Sequence, residues 1–383
     1  MMVLWSVFCF FSFGVLGLHF VLMRRAATKS WHLETDQNYL PMISLLVPSY
    51  NESEVIRFKL ENLCKLEYPR HLTQIIVVDS NSEDRTVDIV NNFVKEHPEN
   101  NIQILIESKR KGKSAALNMA LGHCKGEIVL VSDADCFWPF DILLKAMPFL
   151  ADPSVGAISG AKVLLNPDQS WVTKAEMAYL NSMNLTKLGE SKAGSTIFFE
   201  GGFSAYKRQL LESFDPYDTG SDDCGTIISL IEKRFRAIFV PEARFYTTFP
   251  VTWKERTSMK MRRANQLIRV LWKYVGLISR KRITSSRRII VRSIMNYMLA
   301  PVMFIALMVT TIFLLWAFPY FALIFLLLLI PKVRFYLIEV VQNYIYLSLS
   351  FIQIAIRRKF VVWNKPKDRV LLTEKMLRDR GLI

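Results

Sequence analysis

The spacing of apolar residues changes character several times along the chain, and each change marks a different kind of element. Val3 to Met23 contains no charged residue and is followed at once by Arg24-Arg25. That run is long enough to span a bilayer, and the basic pair at its end predicts a retained anchor over residues 1–25 rather than a cleaved leader. From Met42 the apolar runs shorten and alternate with helical periodicity. The pattern predicts strands at 43–47, 74–78 and 102–106, helices at 54–66, 84–94 and 113–123, and a buried strand at 128–131. Such alternation argues βαβ units and a mostly parallel, Rossmann-like α/β sheet. After Pro139 the order loosens, with a strand at 155–159, a helix at 171–188, a Gly201-Gly202 turn, a helix at 224–233 and a strand at 235–240.

Farther on, the thirty-nine residues 293–331 carry no charge. As one helix they would measure about 58 Å, roughly twice a hydrocarbon core, so they are expected to form a transmembrane hairpin that turns at Pro319. In the next segment, Glu339, Gln342, Asn343, Tyr346, Ser350 and Gln353 fall on one helical face. Residues 332–356 are therefore expected to lie in the interface with this stripe toward the α/β domain or a cavity, or to form a third C-terminal transmembrane span. Residues 357–383 read as a basic cytoplasmic tail.

Charge sharpens this division. The net charge of +15 is concentrated in two places: residues 254–292 hold thirteen Lys or Arg against Glu255 alone, and residues 357–369 hold six against Asp368. Both adjoin long apolar runs, so the expected partner is an anionic lipid bilayer and not nucleic acid. By the positive-inside rule the domain after Arg25 faces the cytoplasm, giving a multi-pass protein of the cell membrane. The five cysteines include no Cys-x-x-Cys, consistent with reduced thiols.

Candidate chemistry gathers where strands end. The uncharged strand 128–131 stops at Asp133-Ala134-Asp135, which reads either as a solvated acidic turn or as two oxygen ligands for Mg²⁺ or Mn²⁺ at the binding edge of an α/β sheet. The first strand ends in Pro48-Ser49-Tyr50-Asn51-Glu52, and the second in Asp79, followed by a turn in which Ser82 or Asp84 can cap a helix. Asp79 closes an apolar strand where a carboxylate can accept hydrogen bonds from a nucleobase or ribose. Lys109 to Lys113, with Gly112, is a solvated basic loop or a phosphate cradle at a helix start. Asp222-Asp223 is a capped helix start or contains a general base.

Taken in order, LVPSYNE, IIVVDSNSEDRT, GKSAALNMAL, VLVSDADC, Gly201-Gly202-Phe203, Asp222-Asp223 and VPEARFYTTFP resemble the inverting family-two glycosyltransferases of GT-A fold. The likeness covers residues 42 to 275, with the GT-A domain itself set at 42–250, and extends to the membrane-embedded hyaluronan, chitin and cellulose synthases. The resemblance implies a nucleotide-diphosphate-sugar donor whose base meets Asp79, a metal on its diphosphate held by Asp135 with Asp133, and Asp223 as catalytic base. Pro48, Tyr50, Glu52, Lys113, Gly202 and Asp222 are then expected to bind substrate.

Residues 251–292 are expected to be basic amphipathic interface helices. They anchor the domain to headgroups, and Arg262 and Arg263 can also reach the donor diphosphate or a lipid phosphate. The synthases' Gln-x-x-Arg-Trp motif corresponds to the stretch that includes Arg263-Ala264, where alanine replaces the stacking tryptophan. That departure argues against processive synthesis and favours transfer to a lipid-linked or glycan acceptor. A processive polysaccharide synthase is the alternative, and a non-catalytic scaffold of the same fold is the rival from another class. Trp363 resembles a synthase segment that closes over the site, and reads equally as an interfacial tryptophan.

Overall fold

The computed structural model describes residues 1–362 and 372–383. In chain order the elements are α1 (Met2–Cys9), α2 (Val15–Ala27), β1 (Ile43–Ser49), α3 (Ile56–Cys64), β2 (Thr73–Asp79), α4 (Thr86–Glu96), β3 (Ile102–Ile106), α5 (Lys113–Leu121), β4 (Ile128–Val131), α6 (Ile142–Ala146), β5 (Val155–Leu164), α7 (Trp171–Ala193), β6 (Ser204–Lys207), α8 (Ile227–Glu232), β7 (Arg236–Thr247), α9 (Trp253–Ser279), α10 (Arg287–Ile294), α11 (Ala300–Ala317), α12 (Pro331–Ala355) and α13 (Glu374–Arg378). Trp363, Lys365 and Lys367 lie outside the described residues.

Seven strands form one mixed sheet in the order β3-β2-β1-β4-β6-β5-β7. The first four are parallel, and β6 alone runs against its neighbours. Ile43, Leu45, Leu46 and Val47 of β1 are fully buried because helices cover both faces, which is why a parallel strand reads as a continuous apolar run. Each such side chain contributes about 1.5–3 kcal/mol relative to exposure. Strand β6 and helix α6 were not expected from the sequence: both are short, and Ser204-Ala205-Tyr206-Lys207 shows no alternation to mark it.

Among the described residues, three helical stretches are long and apolar enough to cross a membrane: Met2–Ala27, Arg287–Ala317 and Leu337–Ala355. The first two each contain a π segment, Phe10–Gly14 and Met295–Leu299. Within the uncharged stretch 293–331 the α-helix stops at Ala317, and Pro319–Leu329 is a 3-10 run instead of the second α-helical limb of a hairpin. The first helix does not stand apart from the α/β module. His19 of α2 meets Glu190 of α7 at 3.1 Å, both buried.

Helix α12 lies against α9 along the polar stripe seen in its sequence. Glu339 pairs with Arg256 and Lys260, Gln342 with Arg256, Tyr346 with Thr257, Ser350 with Met261 and Gln353 with Asn265. Because the partners' numbers rise together, the two helices run side by side in the same direction. The stripe is polar because its neighbour is a charged helix of the module, while Ile338, Ile345, Leu349 and Ile352 face outward.

Candidate active site

The parallel register sets the stage. Ser49 of β1 is level with Asp79 of β2, and Leu46 is level with Val131 of β4, so Pro48, Asp79 and Asp133 emerge at one carboxyl edge. The strand order turns back between β1 and β4, the position where open α/β sheets bind ligands. Strand β6 runs the other way, with Ser204 opposite Val131. Its leading turn, Gly201-Gly202, therefore arrives at the same edge, and the Asp133 amide donates to the Gly201 carbonyl at 3.1 Å. A Cβ on Gly202 would run into the Phe245 ring, so only glycine fits there.

Two buried side chains of α3 fasten the acidic loop from behind. Lys59 Nζ donates to Ser132 Oγ at 2.6 Å and to the Cys136 carbonyl at 2.5 Å. Asn62 takes the Trp138 amide at 3.0 Å and donates to the Trp138 carbonyl at 2.7 Å. The loop is thus held on both sides of its carboxylates. Burial pulls the Lys59 ammonium down to about 7 against the pull of nearby acids.

Lys113, at the start of α5, bridges Asp133 at 2.6 Å and Asp222 at 2.8 Å. Burial opposes its charge, but the two carboxylates hold the ammonium well above its usual range. Burial is the largest influence on Asp222 and pushes it up to about 6, with Asp223 and Asp133 adding and Lys113 opposing. Asp133 is driven down by Lys113 despite its burial. Asp223 accepts from Ser221 Oγ at 2.5 Å and from the Cys224 amide at 2.6 Å, both on Oδ1.

These groups line one cavity of about 390 Å³. Of the residues singled out in the sequence, Pro48, Tyr50, Glu52, Lys113, Asp133, Asp135, Gly202, Asp222, Asp223, Arg262 and Arg263 all line it. Asp79 does not. It is fully buried, and its carboxylate accepts from the Ser82 amide at 2.8 Å and Ser82 Oγ at 2.5 Å, shaping the turn whose Ser80 does reach the cavity. The basic turn contributes Arg110, stacked 3.6 Å above the Tyr50 ring. Arg262 is lowered to about 10 by burial and the adjacent Arg263. After α12 the chain returns to the rim, where Val361 packs on Gly112, whose φ of +103° suits only glycine.

A second arm of the same cavity was not foreseen. Lys162 of β5, Lys187 of α7 and Glu200 line it, together with Tyr179, Leu180, Met183, Phe198 and Tyr297. Glu200 is bound at 3.0 Å by Lys162 and at 2.9 Å by Lys187, and the two lysines hold its carboxyl far below the usual range despite burial. A lysine interrupting the buried run Val155–Leu164 is the one sequence signal that could have disclosed this arm. Tyr297 belongs to the π segment of Arg287–Ala317, so an apolar membrane-type helix contributes to this lining.

Asp133, Asp135 and Cys136 bring their ligand atoms within 4.8 Å of one another. Burial and the neighbouring acids keep the Cys136 thiol protonated, which leaves a carboxylate donor set suited to a hard divalent ion.

A seven-stranded sheet in this order, with an acidic pair at its switch point joined through Lys113 to a second acid pair, defines a GT-A type fold. The chain belongs to glycosyltransferase family 2: the model described as "Glycosyltransferase like family 2" matches residues 41–266. A β-monoglucosyldiacylglycerol synthase of Trichormus variabilis is 30% identical over 259 residues, covering 66% of this chain and 55% of the relative. A poly-β-1,6-N-acetyl-D-glucosamine synthase of Staphylococcus epidermidis is 24% identical over 261 residues, covering 66% of this chain and 62% of the relative. The matched region thus spans a little over half the length of these relatives. Among solved structures, the mannosyltransferase PcManGT from Pyrobaculum calidifontis, in complex with GDP-Man and Mn²⁺, superposes with a TM-score of 0.79 at 28% identity, covering 93% of this chain and 99% of that one.

Proposed function

We propose that the protein is an inverting, metal-assisted glycosyltransferase that moves a sugar from a nucleotide-diphosphate sugar to a hydroxyl of a lipid-linked acceptor at the cytoplasmic face of the membrane. The observation that carries this reading is one cavity lined by the acidic loop, by Asp223 and by Tyr297 of an apolar membrane-type helix. A donor entering at the sheet edge and an acceptor entering from the bilayer would meet at Asp223. The PcManGT complex and the diacylglycerol-acting relative support the two halves of this assignment.

In this scheme the acceptor oxygen attacks the anomeric carbon and its proton passes to Asp223 Oδ2. The bond from that carbon to the diphosphate oxygen breaks, and the electron pair leaves with the diphosphate. One displacement inverts the centre, so no enzyme nucleophile is needed. Asp133 and Asp135 would hold Mg²⁺ or Mn²⁺, which neutralises charge on the leaving diphosphate when bound. Arg262 adds positive charge on that side, while Lys113 keeps the acidic loop and the base loop at a fixed separation. Asp79 would present the turn that meets the nucleobase.

Ala264 is buried in the core rather than facing the cavity, so the place of a processive enzyme's aromatic platform holds none, which favours transfer of a single sugar. Residues 251–292 would rest on the headgroups, with 1–25 and 293–356 in or on the bilayer.

Nucleotide release by the detergent-purified full chain, with Mn²⁺, a panel of nucleotide sugars and a lipid extract, tests the reading. Asp223→Asn should lower release about 10²–10⁴-fold while nucleotide binding is kept. Equal release by both proteins would sink it.

A further inference from the structure

The Lys162–Glu200–Lys187 triad plays no part in the transfer chemistry above. Its members come from three separate places, β5, α7 and the turn before β6, and Lys187 is only 2% exposed. Burying three charges is costly, and such groups are often replaceable by apolar side chains with no loss of stability, so packing alone does not account for the triad. What it does have is an outlet, since all three side chains line the acceptor arm of the cavity.

The triad's hydrogen-bonding capacity narrows what can sit there. Each Glu200 oxygen takes one lysine and retains a further lone pair, and each ammonium has three N–H groups of which Glu200 uses one. A ligand thus meets donors and acceptors side by side, the arrangement that neighbouring hydroxyls satisfy because each hydroxyl both donates and accepts. A phosphate offers acceptors only and would be set against the Glu200 carboxylate. Beyond the triad the wall turns apolar at Leu180, Met183 and Tyr297.

We infer that Lys162, Lys187 and Glu200 form a subsite for an uncharged polyhydroxyl headgroup on a lipid, with the first carbons of its tails against Leu180, Met183 and Tyr297. This rests on the transferase reading for the identity of the arm as the acceptor's, and it adds the chemical class of that acceptor.

Binding without turnover tests it. The full-length Asp223→Asn protein in detergent micelles is titrated with glucosyl-diacylglycerol, with dioleoylglycerol, which has one hydroxyl, and with a polyprenyl phosphate. Thermophoresis reads lipid affinity, and nucleotide affinity is read on the same samples. Glucosyl-diacylglycerol should bind at least tenfold tighter than dioleoylglycerol, and adding Glu200→Gln should erase that difference while nucleotide affinity stays within twofold, which certifies the fold. Met183→Trp, which fills the apolar end, should weaken both neutral lipids by tenfold or more with nucleotide affinity again kept. Preference for the polyprenyl phosphate, or glucosyl-diacylglycerol binding that neither substitution changes, overturns the subsite. The transferase reading stands or falls separately on nucleotide release by the unmodified protein, so a lipid-binding protein without turnover would lose that reading and keep this one.

Discussion

Lys113 is the residue on which the two acidic loops depend. It lies between Asp133 and Asp222, and replacing it by Met would leave carboxylates facing each other with no cation between them. We expect Lys113→Met to lower kcat/KM by about 10²–10³-fold. The same bridge sets a pH limit. Asp222 titrates at about 6, above its usual 3.8, so the bridge is complete only above that value and is lost as pH falls through it. The acidic limb of kcat/KM should be centred about pH 6. Asp222→Asn should remove that limb, and an unmoved limb would assign it to another group.

At this scale the sequence disclosed the residues at the ends of strands and starts of helices and hid the Lys162–Glu200–Lys187 cluster. Asp133 and Asp135 stood out because they end an uncharged run, and Asp223 stood out only through its place in the ordered set of motifs. Glu200 sits in an unremarkable Phe-Phe-Glu-Gly-Gly stretch, and its lysines lie far from it in sequence, so only folding brings the three together.

Among elements, the α9–α12 seam joins the α/β module to the apolar helices. Arg256 is fully buried there between Glu339 and Glu176, with Lys260 sharing both acids. Removing Glu339 leaves buried positive charge only partly matched, for which losses of about 3–5 kcal/mol are typical. Glu339→Ala should therefore cut thermal stability in detergent sharply, and Glu339→Gln should do so less, because Gln can still accept from Arg256. Equal melting of all three proteins would show that the seam does not hold the helices together.

The seam was readable in advance because six polar residues at helical spacing in an apolar helix need a polar neighbour. The conformation of Pro319–Leu329 was not readable, since an apolar run without periodicity looks the same as an α-helix or a 3-10 run.

At the scale of the whole molecule, two C-terminal stretches support the site: Val361 and Val362 line the cavity, and in 372–383 Leu377 and Leu382 are buried with Val55 and Phe137, next to the acidic loop. Asn62 donates to the Leu382 carbonyl at 2.6 Å with the same amide group that holds Trp138. The basic tail expected from composition is thus docked in part, and its docked part supports the loop bearing Asp133 and Asp135. Sequence could not show this, because Leu372, Leu377 and Leu382 form no pattern until a surface is there to receive them.

Deleting 372–383 should uncover Val55 and Phe137 and take the Leu382 carbonyl away from Asn62, loosening one of the loop's two rear fastenings while Lys59 keeps the other. The Mn²⁺ concentration for half-maximal nucleotide release should then rise several-fold, with a smaller change in nucleotide affinity measured without metal. Leu377→Asp should reproduce the effect in the full-length chain. A lower melting temperature with unchanged Mn²⁺ dependence would mean that the segment only covers apolar surface, and that the loop is positioned from α3 alone.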